Sequence, residues 1–155
     1  MSTDLSIEQI IGTVQQLEGS LVVAPAVGDA DFPELAWGDA FFYYAPDGEM
    51  PRTVQPYGTI VTKDYPDDTD SDLDPDGRWR VNIHVDRGTF GELTGLGGAA
   101  GTVDHAAADV VLPHPVYGTA GWIAVVLPGP RTADTVLRLL RDAHDAARAR
   151  FERRR

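Results

Sequence analysis

Two short stretches of this sequence carry side chains that could bind a ligand or move a proton. Arg80, Asn82 and His84 alternate with apolar residues in the first, and His114 and Tyr117 stand in a Leu-Pro-His-Pro-Val-Tyr motif in the second. A guanidinium binds carboxylates and other anions, and an imidazole exchanges protons near neutral pH. The two prolines restrict the backbone of the second stretch. If that loop folds over the strand, the five side chains meet in one pocket.

These five residues, together with Trp122, are the candidate site residues. The catalytic candidates are His84, His114 and Tyr117, and the ligand-binding candidates are Arg80, Asn82 and Trp122. Such a pocket is typical of a small acid–base enzyme in which the arginine holds an anion. The opposing interpretation is that the polar residues of the strand face water and the proline-rich loop only turns the chain. The sequence thus leaves enzymatic activity open.

Other chemistries have weaker signals. The chain has no cysteine, which excludes disulfides and thiolate chemistry. Residues 72–77 (DLDPDG) match the first half of a calcium loop, but Ile83 stands where a bidentate glutamate is required. Residues 95–100 match a G-x-G-x-x-A pattern without the strand before it and the helix after it that dinucleotide binding needs. We predict no metal site and no cofactor, with calcium at residues 72–77 left open.

The charge distribution bears on the choice of partner. The net charge is −11 over 155 residues, and the acidic excess lies before Arg87. An acidic body repels nucleic acid and anionic lipid, so we expect neither as a partner. The arginines at residues 148–155 suit a helix C-terminus and are expected to form a frayed basic end. The partner is expected to be a small molecule or a protein, and the oligomeric state stays open.

The length and the N-terminal sequence bear on domain organisation and location. A chain of 155 residues fits one domain, predicted over 1–155. The first residues include Asp4 and Glu8 and have no basic start, so they predict neither a signal peptide nor a membrane span. Together with the absence of cysteine, this predicts a cytoplasmic protein.

Helix and strand signals alternate in a simple order. Ser6 with Gln9 predicts a capping box that starts the first helix, and Thr132 is expected to cap the last one, on which His144 is predicted to be solvated. Strands are predicted at 21–24, 41–44, 57–62, 79–86 and 121–127, with short helices from Asp86 or Thr89 through Leu93 and around 105–111. The order predicts an α+β fold, a two-layer sandwich in which N- and C-terminal helices lie on one face of an antiparallel sheet.

The motifs resemble known families. In order, residues 80–85, 89–90, 112–117 and 122–128 resemble an actinobacterial family of small proteins described only as a domain of unknown function, with the label 6194. The strand begun by Trp79 and the capped C-terminal helix are more distantly similar to the MmcQ/YjbR family. That similarity implies a CyaY-like α+β fold and DNA binding.

Three functions follow from these observations. The first is a binding domain for a protein partner or a small ligand, because no strong catalytic constellation is present. The alternative is an acid–base enzyme that uses His84, His114 and Arg80. The third is the DNA binding implied by the distant family, which the acidic composition disfavours.

Overall fold

The computed structural model describes residues 4–95 and 103–154. Within these ranges six strands form one sheet in the order β1-β2-β3-β4-β6-β5, and every pair is antiparallel. The elements are α1 (Ile7–Gln15), β1 (Ser20–Val23), β2 (Ala40–Tyr44), β3 (Gly58–Val61), β4 (Arg80–His84), α2 (Arg87–Thr94), β5 (Leu112–Pro113), β6 (Trp122–Val126) and α3 (Ala133–Arg153). This architecture confirms the predicted α+β class.

Helices α1 and α3 cover one face of the sheet, which we call the inner face. Their apolar stripes meet alternate residues of the central strands in one cluster of buried side chains, which includes Ile10, Val14, Phe42, Ile60, Val81, Ile83, Ile123, Val125, Val136, Leu139 and Leu140. The space between the sheet and α3 is tight at Gly58, because a Cβ there would lie 3.1 Å from Leu140 Cδ2 and 3.2 Å from Phe42 Cδ2. Helix α3 therefore lies close against β3 at that position.

The predicted helix starts are correct in two cases and need correction in the third. The capping box of Ser6 and Gln9 begins α1, and Asp86 begins α2 by accepting a hydrogen bond from the backbone N–H of Thr89. Thr132 precedes α3, but its side chain does not cap the helix. Instead, the carboxylate of Asp109 holds the turn that precedes the helix, because it accepts from the Gly129 N–H and from both the N–H and the hydroxyl of Thr132. The acceptor comes from a distant loop that local sequence does not reveal.

Three further expectations differ from the structure. The helix predicted around 105–111 is wrong, because this segment contains turns and a single parallel bridge between Ala108 and Val126. The predicted loop at Leu112–Pro113 is a short edge strand. His144 is buried rather than solvated, since its Nε2 bonds to the carbonyl of Glu18 at 2.5 Å. The predicted strands are otherwise present within a few residues of their expected bounds.

Two predictions concern the C-terminal residues 148–155 and the loop at residues 95–100. Helix α3 continues through Arg153, and the predicted fraying of residues 148–155 stays a prediction. Most of the G-x-G-x-x-A pattern lies outside the described residues. In the part of the chain that the structure describes, no helix combines the length and apolar character needed to cross a membrane.

Candidate functional site

The face of the sheet opposite α1 and α3, here called the outer face, is buried by loops rather than by helices. Arg80 and Asn82 point to this face from β4, yet they are only 1% and 3% exposed. The interpretation that the polar residues of this strand simply face water is therefore wrong for these two. The loop at 64–77 and the loop that follows β5 supply the residues that cover them.

The guanidinium of Arg80 is held by partners from three parts of the chain. Nη1 and Nη2 donate to the two carboxylate oxygens of Asp68, at 3.0 and 2.6 Å. Nη1 also donates to the Ser71 hydroxyl at 2.9 Å, and Nε donates to Oδ1 of Asn82 at 2.7 Å. This two-pronged contact, here called the Arg80–Asp68 pair, leaves an incoming anion to compete with Asp68 for the guanidinium.

Asp68 is the residue of this site that the sequence did not single out. It lies in the acidic loop, where Asp64 and Asp74 bind backbone N–H groups across the loop and so hold it folded. Burial alone would raise the pKa of Asp68, but the hydrogen bonds and charge of Arg80 outweigh burial and lower it. Asp68 is therefore ionised at neutral pH and neutralises the buried arginine.

His114 is fixed by the turn that follows β5. Its Nδ1 accepts the backbone N–H groups of Val116 and Tyr117, both at 3.0 Å. Its Nε2 lies 3.0 Å from Arg80 Nη2, which can only donate a hydrogen bond, and 3.6 Å from Asp68 Oδ2. Both ring nitrogens thus face hydrogen-bond donors, whereas a neutral imidazole has a single lone pair with which to accept. The ring is held between the turn after β5 and the Arg80–Asp68 pair.

The protonation of His114 is unfavourable in this setting. Burial and the neighbouring charge of Arg80 lower the pKa of His114 to about 4, although Asp68 acts in the opposite direction. Protonation at Nδ1 would also oppose two backbone N–H groups. The imidazole is therefore neutral at physiological pH and has no free lone pair with which to accept a proton.

Above this network lies an open depression of about 410 Å³, which we call the outer cleft. Most of its surface is apolar or aromatic, and the polar groups are concentrated at its floor. Its lining residues are Phe41, Gln55, Pro56, Thr59, Val61, Tyr65, Asp67, Asp68, Arg80, Asn82, His114, Val116, Tyr117, Ala120 and Trp122. Five of the six candidate site residues thus line one depression.

The sixth candidate, His84, does not line the outer cleft. It lies at the end of β4, and its ring contacts that of Trp122, with centroids 5.5 Å apart. Burial and the charge of Arg150 lower the pKa of His84. The structure therefore places His114 in the lining of the cleft and His84 beside Trp122, outside that lining.

A second buried carboxylate supports one wall of the cleft. Asp39 is 1% exposed and accepts hydrogen bonds from Tyr65, from Lys63 at 3.0 Å and from the backbone and hydroxyl of Thr62. Burial and this carboxylate raise the pKa of Tyr65. The Tyr65 ring is consequently fixed with its hydroxyl turned away from solvent and into this network. The sequence contained no local signal for this support, because Asp39 is separated from each of its partners by 23 residues or more.

The calcium hypothesis gains no support from the residues that are described. Residues 4–95 and 103–154 contain no group of three carboxylate or imidazole side chains arranged to hold a metal ion. Asp74 is used by the fold, because its Oδ1 accepts the backbone N–H of Asp64 at 2.9 Å. Asp72 adopts a left-handed backbone conformation, with φ of 54°. The carboxylate of Asp74 therefore holds together the loop that contains Asp68.

Comparisons with known proteins bear on identity rather than chemistry. No curated protein matches the chain, and no solved structure matches it either. The similarity to the MmcQ/YjbR family stays a prediction, as does its CyaY-like fold. A family described as a family of unknown function, DUF6194, matches residues 5–155. The chain therefore belongs to the DUF6194 family, as its strand and loop motifs had indicated.

Proposed function

We propose that the protein is a binding domain whose outer cleft takes up a small, largely apolar molecule. The observation that carries the proposal is the contrast within the cleft, where aromatic and aliphatic walls surround a floor of buried, mutually paired polar groups. A volume of about 410 Å³ lies in the range of ligand sites, which are mostly apolar with a few fixed polar groups.

The shape of the cleft favours a small molecule over a protein partner. A stable protein interface needs a broad surface of roughly 800 Å² on each side. The exposed apolar side chains near the cleft are confined to its lip, where Val116 is 38% and Tyr117 is 54% exposed. Two such side chains beside a depression suit the rim of a ligand site.

The acid–base alternative receives less support from the same geometry. His84 lies outside the outer cleft, and Nδ1 of His114 is occupied by two backbone N–H groups. A general base needs a free lone pair within reach of a substrate proton. Catalysis by these residues, DNA binding and a cytoplasmic location all stay predictions from the sequence.

A neutral fluorescent probe tests the proposed function. N-phenyl-1-naphthylamine, added to the full chain, is expected to bind at one site with a blue shift in its emission. The variant Ala120→Trp places an indole in the cleft and should weaken binding at least about tenfold, or 1.4 kcal/mol. Absence of probe binding, or equal binding by the filled variant, would overturn the proposal.

The matched control uses an exposed apolar residue in another depression. Met50 is 48% exposed and lines a second depression, next to the C-terminal part of α3. The variant Met50→Trp adds the same indole there and should leave probe affinity unchanged. If Met50→Trp weakens binding as much as Ala120→Trp does, the probe is not reporting on the outer cleft.

A further inference from the structure

We propose that the ligand of the outer cleft is an uncharged molecule that presents a carbonyl-type oxygen to the hydroxyl of Thr59. This inference rests on the proposed function and adds the chemical class of the ligand. It is carried by a chain of hydrogen bonds that runs from Arg80 through Asn82 to Thr59 and ends in the cleft.

Arg80 sets the donor–acceptor direction of these hydrogen bonds. Nε of Arg80 can only donate, so Oδ1 of Asn82 accepts, and the amide nitrogen of Asn82 is turned toward Thr59. That nitrogen donates to Oγ1 of Thr59 at 3.0 Å. Within the described part of the chain, the Thr59 hydroxyl proton has no acceptor of its own. It is therefore available to a group in the cleft.

The register of the sheet positions the residues that form these hydrogen bonds. Thr59 on β3 is directly opposite Asn82 on β4, and Phe41 on β2 is directly opposite Thr59. The hydroxyl consequently lies in a row across the outer face, with an aromatic ring on one side and the amide on the other. A hydroxyl that accepts a hydrogen bond from a polarised amide becomes a better donor. The cleft thus offers a directed donor between apolar walls.

The charges of the floor argue against an ionised ligand. Arg80 and Asp68 neutralise one another through two short hydrogen bonds, so neither is free to balance a charged group. Asp67 at the rim and the net charge of −11 repel anions. Removing an ionised carboxylate or ammonium from water without a counter-charge is costly. A neutral carbonyl requires only a donor, which Thr59 supplies.

His114 adds a neutral ring to the same floor. Its Nδ1 faces two backbone N–H groups and its Nε2 lies 3.0 Å from Nη2 of Arg80, so the ring carries no charge that could balance an ionised ligand. A ligand oxygen over the floor accepts from Thr59 while the rest of the ligand fills space above the imidazole. A neutral ring at this position agrees with an uncharged ligand.

Four naphthalene probes of matched size distinguish the possible ligand classes. They are 2-acetylnaphthalene, 2-isopropylnaphthalene, 2-naphthoate and 2-naphthylmethylammonium, titrated calorimetrically into the full chain at neutral pH. The ketone is expected to bind about tenfold more tightly than the hydrocarbon and the two ions. Tightest binding by either ion would overturn the ligand class but leave the proposed function intact. Failure of all four probes to bind would contradict the proposed function itself.

A threonine substitution tests the donor directly. Thr59→Val keeps the shape of the side chain and removes the hydroxyl, so the ketone should fall to the affinity of the hydrocarbon. Thr59→Ser should retain the preference for the ketone, and Thr13→Val, on the surface of α1, should change nothing. An unchanged ketone preference in Thr59→Val would overturn the inference. If that variant does not fold, the ranking of the four probes on the unaltered chain decides.

Discussion

Both faces of the sheet contain buried side chains, but the contacts that bury them differ in kind. On the inner face, aliphatic and aromatic side chains of the strands pack against α1 and α3 in one continuous cluster. On the outer face, Arg80 hydrogen bonds to Asp68 and Ser71 of the loop at 64–77, and Asn82 hydrogen bonds to Arg80 and to Thr59 of strand β3. The first kind of burial excludes water without regard to direction, and the second depends on the position of each polar atom.

This difference determines how each face should respond to substitution. An apolar face can be repacked with modest losses, because hydrophobic contacts are not directional. A buried ion pair fails when one partner is removed, because the other charge is left without compensation. The outer face therefore combines a cleft open to ligands with a floor that is sensitive to charge. Mutation and pH should affect the two faces differently.

The largest effect is expected from breaking the Arg80–Asp68 pair. Arg80→Met keeps much of the side-chain volume but leaves the carboxylate of Asp68 without its main partner. Loss of one partner from a buried pair costs about 3–5 kcal/mol. We therefore expect a decrease of this size in the free energy of unfolding, measured by urea denaturation at neutral pH.

The matched control removes both charges. In the double variant Arg80→Met, Asp68→Leu no charge is left unpaired, so much of the lost stability should return. A double variant that is less stable than Arg80→Met alone would show that the pair stabilises the protein through the placement of its two side chains and not through mutual neutralisation of their charges.

The second effect is a pH dependence that originates from His114. Its pKa in the folded protein is about 4, below the ordinary value of 6.5 expected in the unfolded chain. Between these values the unfolded state binds a proton that the folded state does not, so stability falls as the pH falls. One such group contributes a slope of up to about 1.4 kcal/mol per pH unit. Urea denaturation at pH 7 and pH 5 measures it.

His114→Asn separates this contribution from those of other groups. The asparagine Oδ1 can accept the same backbone N–H groups as Nδ1 of His114, but it does not titrate. The groups that act on His114 are Asp68, Arg80 and His105, and all three are retained in this variant. The slope between pH 7 and pH 5 should become smaller. A slope equal to that of the unaltered protein would assign the effect to another histidine, such as His84, whose pKa is also lowered.

The third effect concerns the inner face and should not depend on pH. In Gly58→Ala the added methyl group would lie 3.1 Å from Leu140 Cδ2 and 3.2 Å from Phe42 Cδ2, so these side chains must move. Overpacking of this kind costs about 1–3 kcal/mol. Denaturation at pH 7 and pH 5 should give the same loss relative to the unaltered protein. A loss that grows at pH 5 would mean that the two faces are coupled.

The outcome of sequence analysis also differs between the two faces. The inner face was predictable, because the apolar residues of β4 and α1 repeat with the periods of a strand and a helix. On the outer face, the alternation of Arg80, Asn82 and His84 gave the correct side of the strand. The loop that contains His114 lies over this side, and its side chains line the outer cleft with those of the strand.

What the sequence could not reveal is which distant group completes each polar contact. Asp68 is one of many carboxylates in an acidic loop that looks solvated, and only the folding of that loop selects it as the partner of Arg80. The turn before α3 is a similar case, because 23 residues separate Asp109 from Thr132, whose N–H and hydroxyl it accepts. Periodicity identifies faces, whereas pairing across loops depends on tertiary structure.

The smallest effect on stability is expected at the lip of the outer cleft. Tyr117 is 54% exposed; its backbone N–H donates to His114, and its partly exposed ring lies beside the imidazole with centroids 5.1 Å apart. Tyr117→Ala should therefore change the free energy of unfolding by no more than about 0.5 kcal/mol, as is usual for surface positions. The same variant removes an aromatic wall and should weaken N-phenyl-1-naphthylamine binding several-fold, measured by fluorescence titration. A variant with lost stability and unchanged probe binding would place Tyr117 among the structural contacts of the outer face and remove it from the ligand site.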